Sequence, residues 1–157
     1  MRLLRWVLAG AAAGAAGTTA LNAVTYLDMA ARGRPSSSTP QDTVEKLSQT
    51  AGVPIPGDQQ MRANRVAGLG PLTGLLAGVG TGAVLGAVRA FGIRPGLAVG
   101  SLAAAAGAMA ASTAPMAAMG ITDPRSWTAE AWASDIIPHL AYGVVTVVTL
   151  QKLDSTH

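Results

Sequence analysis

The chain contains no cysteine and a single phenylalanine, and only 12% of its residues are charged. The absence of cysteine excludes disulfide bonds and thiolate metal sites. The cationic residues are scattered and have no interleaved aromatic residues, which argues against nucleic-acid binding although the formal net charge is +3. We therefore expect no nucleic-acid partner.

Small and apolar residues dominate what is present. Half of the chain is hydrophobic, most of that half is alanine, leucine and valine, and nineteen residues are glycine. This composition is typical of membrane helices built from small residues rather than of a soluble core. We predict an all-α fold: one polytopic membrane domain, 1–157, with four transmembrane helices in an antiparallel bundle and a short amphipathic helix in the first polar loop.

The first predicted span covers residues 3–28 and begins beside Arg2 and Arg5. A signal peptide is the alternative interpretation, because it also combines a basic start with an apolar run and Ala-x-Ala patterns. The apolar run continues to Asp28, well beyond the core of a signal peptide, which favours a retained transmembrane helix.

The polar loop that follows, 30–65, contains one predicted short helix over 40–50. Pro40 suits the first helical position, and Thr39 suits the N-cap before it. We expect this helix to lie on the membrane surface or to cap the bundle through one apolar face. That face consists of Val44, Leu47 and Ala51.

Three further spans are predicted at 66–90, 96–120 and 131–152. A five-residue connection joins the first two of these, so they must run antiparallel. The uncharged part of the last span has only 15 residues, fewer than the roughly 20 that a span needs. Asp135 and His139 are therefore expected at or inside the membrane boundary, and the tryptophans Trp6, Trp127 and Trp132 at the interfaces.

Five glycines spaced four residues apart form a ladder through the second span. In a bilayer such a segment must be helical to satisfy its backbone, and glycines four apart leave a groove for another backbone. The third span carries a matching ladder of small residues, so we expect a glycine zipper between these two spans. The predicted helix-packing residues are Gly70, Gly74, Gly78, Gly82, Gly86, Gly96, Gly100, Ala104, Ala108 and Ser112.

Polar residues form one stripe along the last predicted helix and a shorter stripe along the first. The four-span topology brings the relevant ends of these helices, and the start of the second span, to one side. Ionisable residues at membrane depth usually face the bundle interior or a cavity. The predicted polar intramembrane cluster consists of Asp28, Asn22, Arg62, Arg65, Asp135, His139 and Tyr142.

Three functions are compatible with this cluster. Its members could pair across helices and hold the bundle together. His139 and an aspartate could instead relay protons or bind a small solute, or Asp28, Asp135 and His139 could hold a metal or act as acid and base. The sequence has no HExxH motif, no nucleophile elbow and no phosphate-binding loop with its lysine. We expect no catalytic residues, no metal and no cofactor.

Residues 138–143 read Pro-His-Leu-Ala-Tyr-Gly, and the first span is rich in Gly, Ala and Thr and ends in an acidic residue. In both respects the chain resembles the YagU-like four-helix proteins of the bacterial inner membrane. The resemblance implies a polytopic inner-membrane protein and carries over no catalytic residue. The positions that match recurrent polar residues are Asp28, His139 and Tyr142.

Four spans place both termini on one side of the membrane. The two sides carry five and six Lys/Arg residues, and the five lie in much shorter segments, which favours cytoplasmic termini. The expected partners are the lipid bilayer and another membrane protein or a second copy of this chain. We predict a structural or membrane-complex role, with a channel or transporter for protons, ions or a small polar solute as the alternative.

Overall fold

The structure, a computed structural model, describes residues 1–155. These residues form five α-helices and one short 3₁₀ helix, Pro124–Ser126, and they include no strand. Four of the five α-helices are long and apolar enough to cross a membrane. The predicted all-α class with four such helices is confirmed. The α-helices are α1 (Arg2–Arg32), α2 (Thr39–Ala51), α3 (Gln59–Ala90), α4 (Leu97–Ala118) and α5 (Ala129–Ser155).

Local sequence explains where the first helices begin and end. Gly33 and Gly52 follow α1 and α2 with φ angles of 64° and 65°, a left-handed conformation that glycine adopts without steric cost. Asp58 precedes α3, and its side chain accepts a hydrogen bond from the backbone N–H of Met61 at 2.8 Å. The long polar loop of the sequence therefore contains the end of α1, all of α2 and the start of α3.

The most extensive helix contact joins α1 to α3, with glycine facing glycine. A Cβ atom on Gly14 would lie 2.6 Å from the carbonyl oxygen of Gly78, and one on Gly82 would lie 2.6 Å from the Cα of Gly14. Gly10 meets Gly86 in the same way, at 2.8 Å from its Cα. Because real Cβ atoms essentially never come within 3.0 Å of another heavy atom, only glycine fits at these positions. Along this contact, residue numbers increase on α1 in the direction in which they decrease on α3.

The predicted seam between the second and third spans is therefore wrong. The ladder of α3 packs on α1 through its last three glycines and on α2 through Gly70. A Cβ atom on Gly74 would have no atom of the described residues within 4 Å, its own helix backbone aside. Gly74 therefore makes no close contact with α4.

The physical reason for this correction is a second glycine series, on α1, that the sequence analysis overlooked. Gly10, Gly14 and Gly17 are spaced four and three residues apart and lie on one face of α1. Two facing glycines allow the backbones of α1 and α3 to touch, whereas the backbone of α4 makes its close approach to α5, at Gly143. Between α3 and α4 an open apolar groove of about 410 Å³ remains instead. It is lined by Leu76, Ala77, Gly80, Thr81, Val84, Gly107 and Ala111.

The small residues of α4 pack on α5. A Cβ atom on Gly143 of α5 would overlap the carbonyl oxygen of Ser101 on α4, and one on Gly100 of α4 would lie 3.3 Å from Val147. The remaining predicted packing positions of α4 differ in their roles. Ala104 and Ala108 are buried against Tyr142, Gly96 is the N-cap residue, and Ser112 donates hydrogen bonds within its own helix.

Helix α2 packs on the first half of α3, where a Cβ atom on Gly70 would lie 3.2 Å from the backbone of Pro40. Its N-cap is Ser38 rather than the predicted Thr39, because a proline fits the second helical position as well as the first. Val44 is buried as predicted, but Leu47 is 47% exposed. Ala51 is also exposed, and Thr43 completes the buried face.

Candidate functional site

Helix α5 carries the predicted polar stripe on the face that packs into the molecule. His139 is 8% exposed, and Tyr142 and Thr146 are fully buried. The His139 Nδ1 lies 2.7 Å from the carbonyl oxygen of Asp135 and 3.5 Å from its Oδ1. Both of these atoms are acceptors, so Nδ1 carries the proton. Asp135 and His139 therefore interact within one turn of α5.

The middle of the stripe connects three helices. The hydroxyl group of Tyr142 donates a hydrogen bond to the carbonyl oxygen of Gly78 on α3 at 2.7 Å. A Cβ atom on Gly17 of α1 would lie 2.8 Å from the Tyr142 ring. Thr18, also buried, donates to the carbonyl oxygen of Gly14 in its own helix at 2.8 Å. Tyr142 thus joins α5 to both helices of the glycine contact.

We expect Tyr142→Phe to lower the free energy of unfolding by about 1 kcal/mol, because it removes a buried hydrogen bond while keeping the ring. Thermal unfolding of the purified protein in a neutral detergent would measure the change. Tyr26→Phe is the matched control, since Tyr26 is 61% exposed. Equal stability of the two variants would show that the bond to Gly78 contributes nothing.

Where α1 ends and α5 begins, Asp28 forms the centre of an ion-pair network. Arg32 Nε lies 2.7 Å from its Oδ1, and Arg34 Nε lies 2.6 Å from its Oδ2. Arg32 also reaches across to α5, where it contacts Glu130 at 2.5 Å and donates to the Ser134 hydroxyl at 2.6 Å. These contacts hold the last turn of α1 against the first turns of α5.

A cavity of about 160 Å³ lies beside this network, between α1 and α5. Asp28, Arg32 and Ser134 supply its polar lining. The remaining wall is apolar and consists of Val24, Ala133, Ile137 and Pro138. Neither Asn22 nor His139 lines it.

The predicted convergence of the cluster into one site is wrong. Arg62 pairs with Glu45 of α2 at 2.7 Å, and Arg65 donates a hydrogen bond to the carbonyl oxygen of Pro56. Asn22 is exposed. The partners of Asp28 and Arg65 lie close in sequence, and the partner of Arg62 lies on α2, whose position against α3 the sequence did not reveal. The cluster therefore divides into the Asp28 network, the Asp135–His139 pair, the Tyr142 bond and the Arg62–Glu45 pair.

A second polar group, which no sequence pattern indicated, lies at the opposite end of the helices. Arg89 is 8% exposed and pairs with Asp154 at 2.6 Å, and Arg94 approaches the same carboxylate at 3.3 Å. Trp6, which is expected at an interface, lies beside these residues and is only 3% exposed. We define the Trp6 cluster as Arg5, Trp6, Arg89, Arg94 and Asp154. The sequence did contain one indication of this cluster: among the described residues, Asp154 is the sole Asp or Glu at this end of the helices.

Within the described residues, no three His, Cys, Asp or Glu side chains converge to form a metal-ligand set. Asp28 lies in its arginine network, while Asp135 and His139 contact each other on α5. Comparisons with protein-family models, curated proteins and solved structures find no match to this chain. The function must therefore be inferred from the geometry of the chain itself.

Proposed function

We propose that this protein is a multi-pass integral membrane protein with a structural role, acting in the membrane as a closely packed helical scaffold for another membrane protein or a second copy of itself. Helices α1, α3, α4 and α5 form its antiparallel transmembrane bundle, held by a glycine zipper between α1 and α3. It acts without enzymatic chemistry.

One observation carries this proposal: the fully buried Tyr142 of α5 bonds to the backbone of another helix. Its hydroxyl group donates to the Gly78 carbonyl oxygen beside the position where α1 and α3 touch through glycine. In a membrane, a polar group facing a neighbouring helix gains from a partner there, and small residues bring the backbones within reach. This bond therefore has the geometry of interhelical adhesion.

The alternative function is a channel or transporter for protons, ions or a small polar solute. The cavity beside Asp28 favours it, because an ionisable residue in a cavity at the end of a bundle is typical of a solute pathway. Arg32 and Arg34 occupy the Asp28 carboxylate, however, and the cavity does not extend to His139. We therefore rank it second.

We also propose the bacterial inner membrane as the location, with cytoplasmic termini. The YagU-like resemblance, which rests on residues 138–143 and on the composition of the first span, is part of the same proposal. The end of the bundle that contains Trp6 has five Lys/Arg residues and one Asp or Glu among the described residues, whereas the other end has six and seven. Cytoplasmic leaflets carry a negative surface potential, which attracts the basic end. Labelling of single cysteines at Arg2 and Arg125 in intact cells would test this orientation.

The His139→Ala variant tests the structural role. Its thermal stability and its ion flux are both compared with those of the wild type. We expect the melting temperature in detergent to fall by about 5 °C, since the variant loses a buried ring and its hydrogen bond. Proton and ion flux in liposomes should equal that of the wild type. Asn22→Ala is the control, because Asn22 is exposed on the same bundle. A flux defect in a His139→Ala protein of normal stability would favour transport.

A further inference from the structure

The Trp6 cluster concentrates positive charge at one end of the bundle. The guanidinium carbons of Arg5, Arg89 and Arg94 lie 5.3, 5.6 and 5.8 Å from the centre of the Trp6 ring. Three cations around one aromatic ring repel each other, and each gains only partly from the ring. Asp154 is the one carboxylate in the cluster.

This carboxylate does not neutralise the three arginines equally. Asp154 lies 2.6 Å from Arg89 but 3.3 Å from Arg94, whose side chain is 48% exposed. Arg5 is also exposed. The other end of the bundle differs, because Arg32 and Arg34 share Asp28 there and Arg62 pairs with Glu45. The Trp6 cluster therefore has accessible cations in excess of its anions.

The start of α4 is a second feature of this end of the bundle. Nearby, the N-terminus of α4 begins at Gly96, two residues after Arg94, and has no side-chain cap. Its free backbone N–H groups add positive potential at this end.

We propose that the Trp6 cluster binds the phosphate group of an anionic phospholipid from the surrounding leaflet. Arg5 and Arg94, which are both exposed, supply the charge-assisted contacts to the phosphate oxygens. The position suits a lipid rather than a soluble anion, because the cluster lies where four apolar helices end. Basic pockets between membrane helices bind anionic headgroups in this way. The inference rests on the membrane location proposed above.

The test titrates the full-length protein, in a neutral detergent, with phosphatidylglycerol or phosphatidylcholine. We expect phosphatidylglycerol to raise the melting temperature by about 5 °C at saturation and phosphatidylcholine to leave it unchanged. Arg5→Gln/Arg94→Gln should lose the shift. Native mass spectrometry should show about a tenfold weaker retention of phosphatidylglycerol by this variant.

The matched control is Arg65→Gln/Arg125→Gln, which removes the same charge from exposed positions at the other end. It should keep the full shift. Equal losses in both double variants would overturn the proposal in favour of general charge attraction.

Two further results would also overturn the proposal. Inorganic phosphate that reproduces the shift would identify a soluble anion as the ligand. Equal melting-temperature shifts with phosphatidylglycerol and phosphatidylcholine would show that the protein does not distinguish the two headgroups. Carbonate extraction of cell membranes separates this inference from the proposed function: an extracted protein contradicts both, whereas an integral protein indifferent to phosphatidylglycerol contradicts this inference alone.

Discussion

Gly82→Ala should destabilise the protein by about 3 kcal/mol, although it adds only one methyl group. The new Cβ would lie 2.6 Å from the Cα of Gly14 and 2.7 Å from its backbone nitrogen. Backbone atoms cannot move aside as a flexible side chain can, so α1 and α3 must separate along their contact. Thermal or denaturant unfolding in detergent would measure the loss.

Gly74→Ala is the control for this prediction, since Gly74 belongs to the same four-residue ladder on the same helix. A methyl group there meets no atom of the described residues within 4 Å beyond its own helix backbone. Alanine is the better helix former by up to about 1 kcal/mol, so this variant should be neutral or slightly stabilised. If the two variants lose equal stability, α3 does not pack on α1 through Gly82.

The glycine ladder shows how far sequence alone can specify this fold. The four-residue spacing predicted a close helix contact on α3, and the structure contains one at Gly78, Gly82 and Gly86. The spacing could not name the partner, because α1 and α4 both offer small residues at suitable intervals. Glycine opposite glycine allows a closer approach than glycine opposite alanine, and that comparison would have favoured α1.

For the polar residues, the sequence pattern predicts the helix face on which they lie, but packing determines which residues they pair with. The helical period placed Asp135, His139 and Tyr142 on one face of α5, and in the structure His139 and Tyr142 are buried there while Asp135 is half-buried. The partners of charged residues depend on side-chain reach and on loops. Arg32 and Arg34, just beyond the predicted first span, satisfy Asp28, and the short helix α2 brings Glu45 to Arg62. Neither arrangement has a periodic signature.

Asp154→Ala should be the other strongly destabilising substitution, because it leaves Arg89 buried without its carboxylate. Arg89 is 8% exposed, and its guanidinium lies beside Trp6 with two more cations nearby. Removing one partner of a buried ion pair costs about 3–5 kcal/mol, since the remaining charge stays out of water. We expect a loss of about 3 kcal/mol in unfolding experiments, at the lower limit because the Asp154 side chain is 18% exposed.

The double variant Arg89→Met/Asp154→Leu distinguishes the cost of the unpaired charge from the value of the pair. It removes both charges and replaces them with apolar side chains, so it should recover most of the stability lost in Asp154→Ala. Glu45→Ala is the control, because it breaks an ion pair whose side chains are 40% and 39% exposed and should change the stability by less than about 1 kcal/mol. A double variant as unstable as Asp154→Ala would mean that the bridge itself, rather than the isolated arginine, holds the ends of α3 and α5 together.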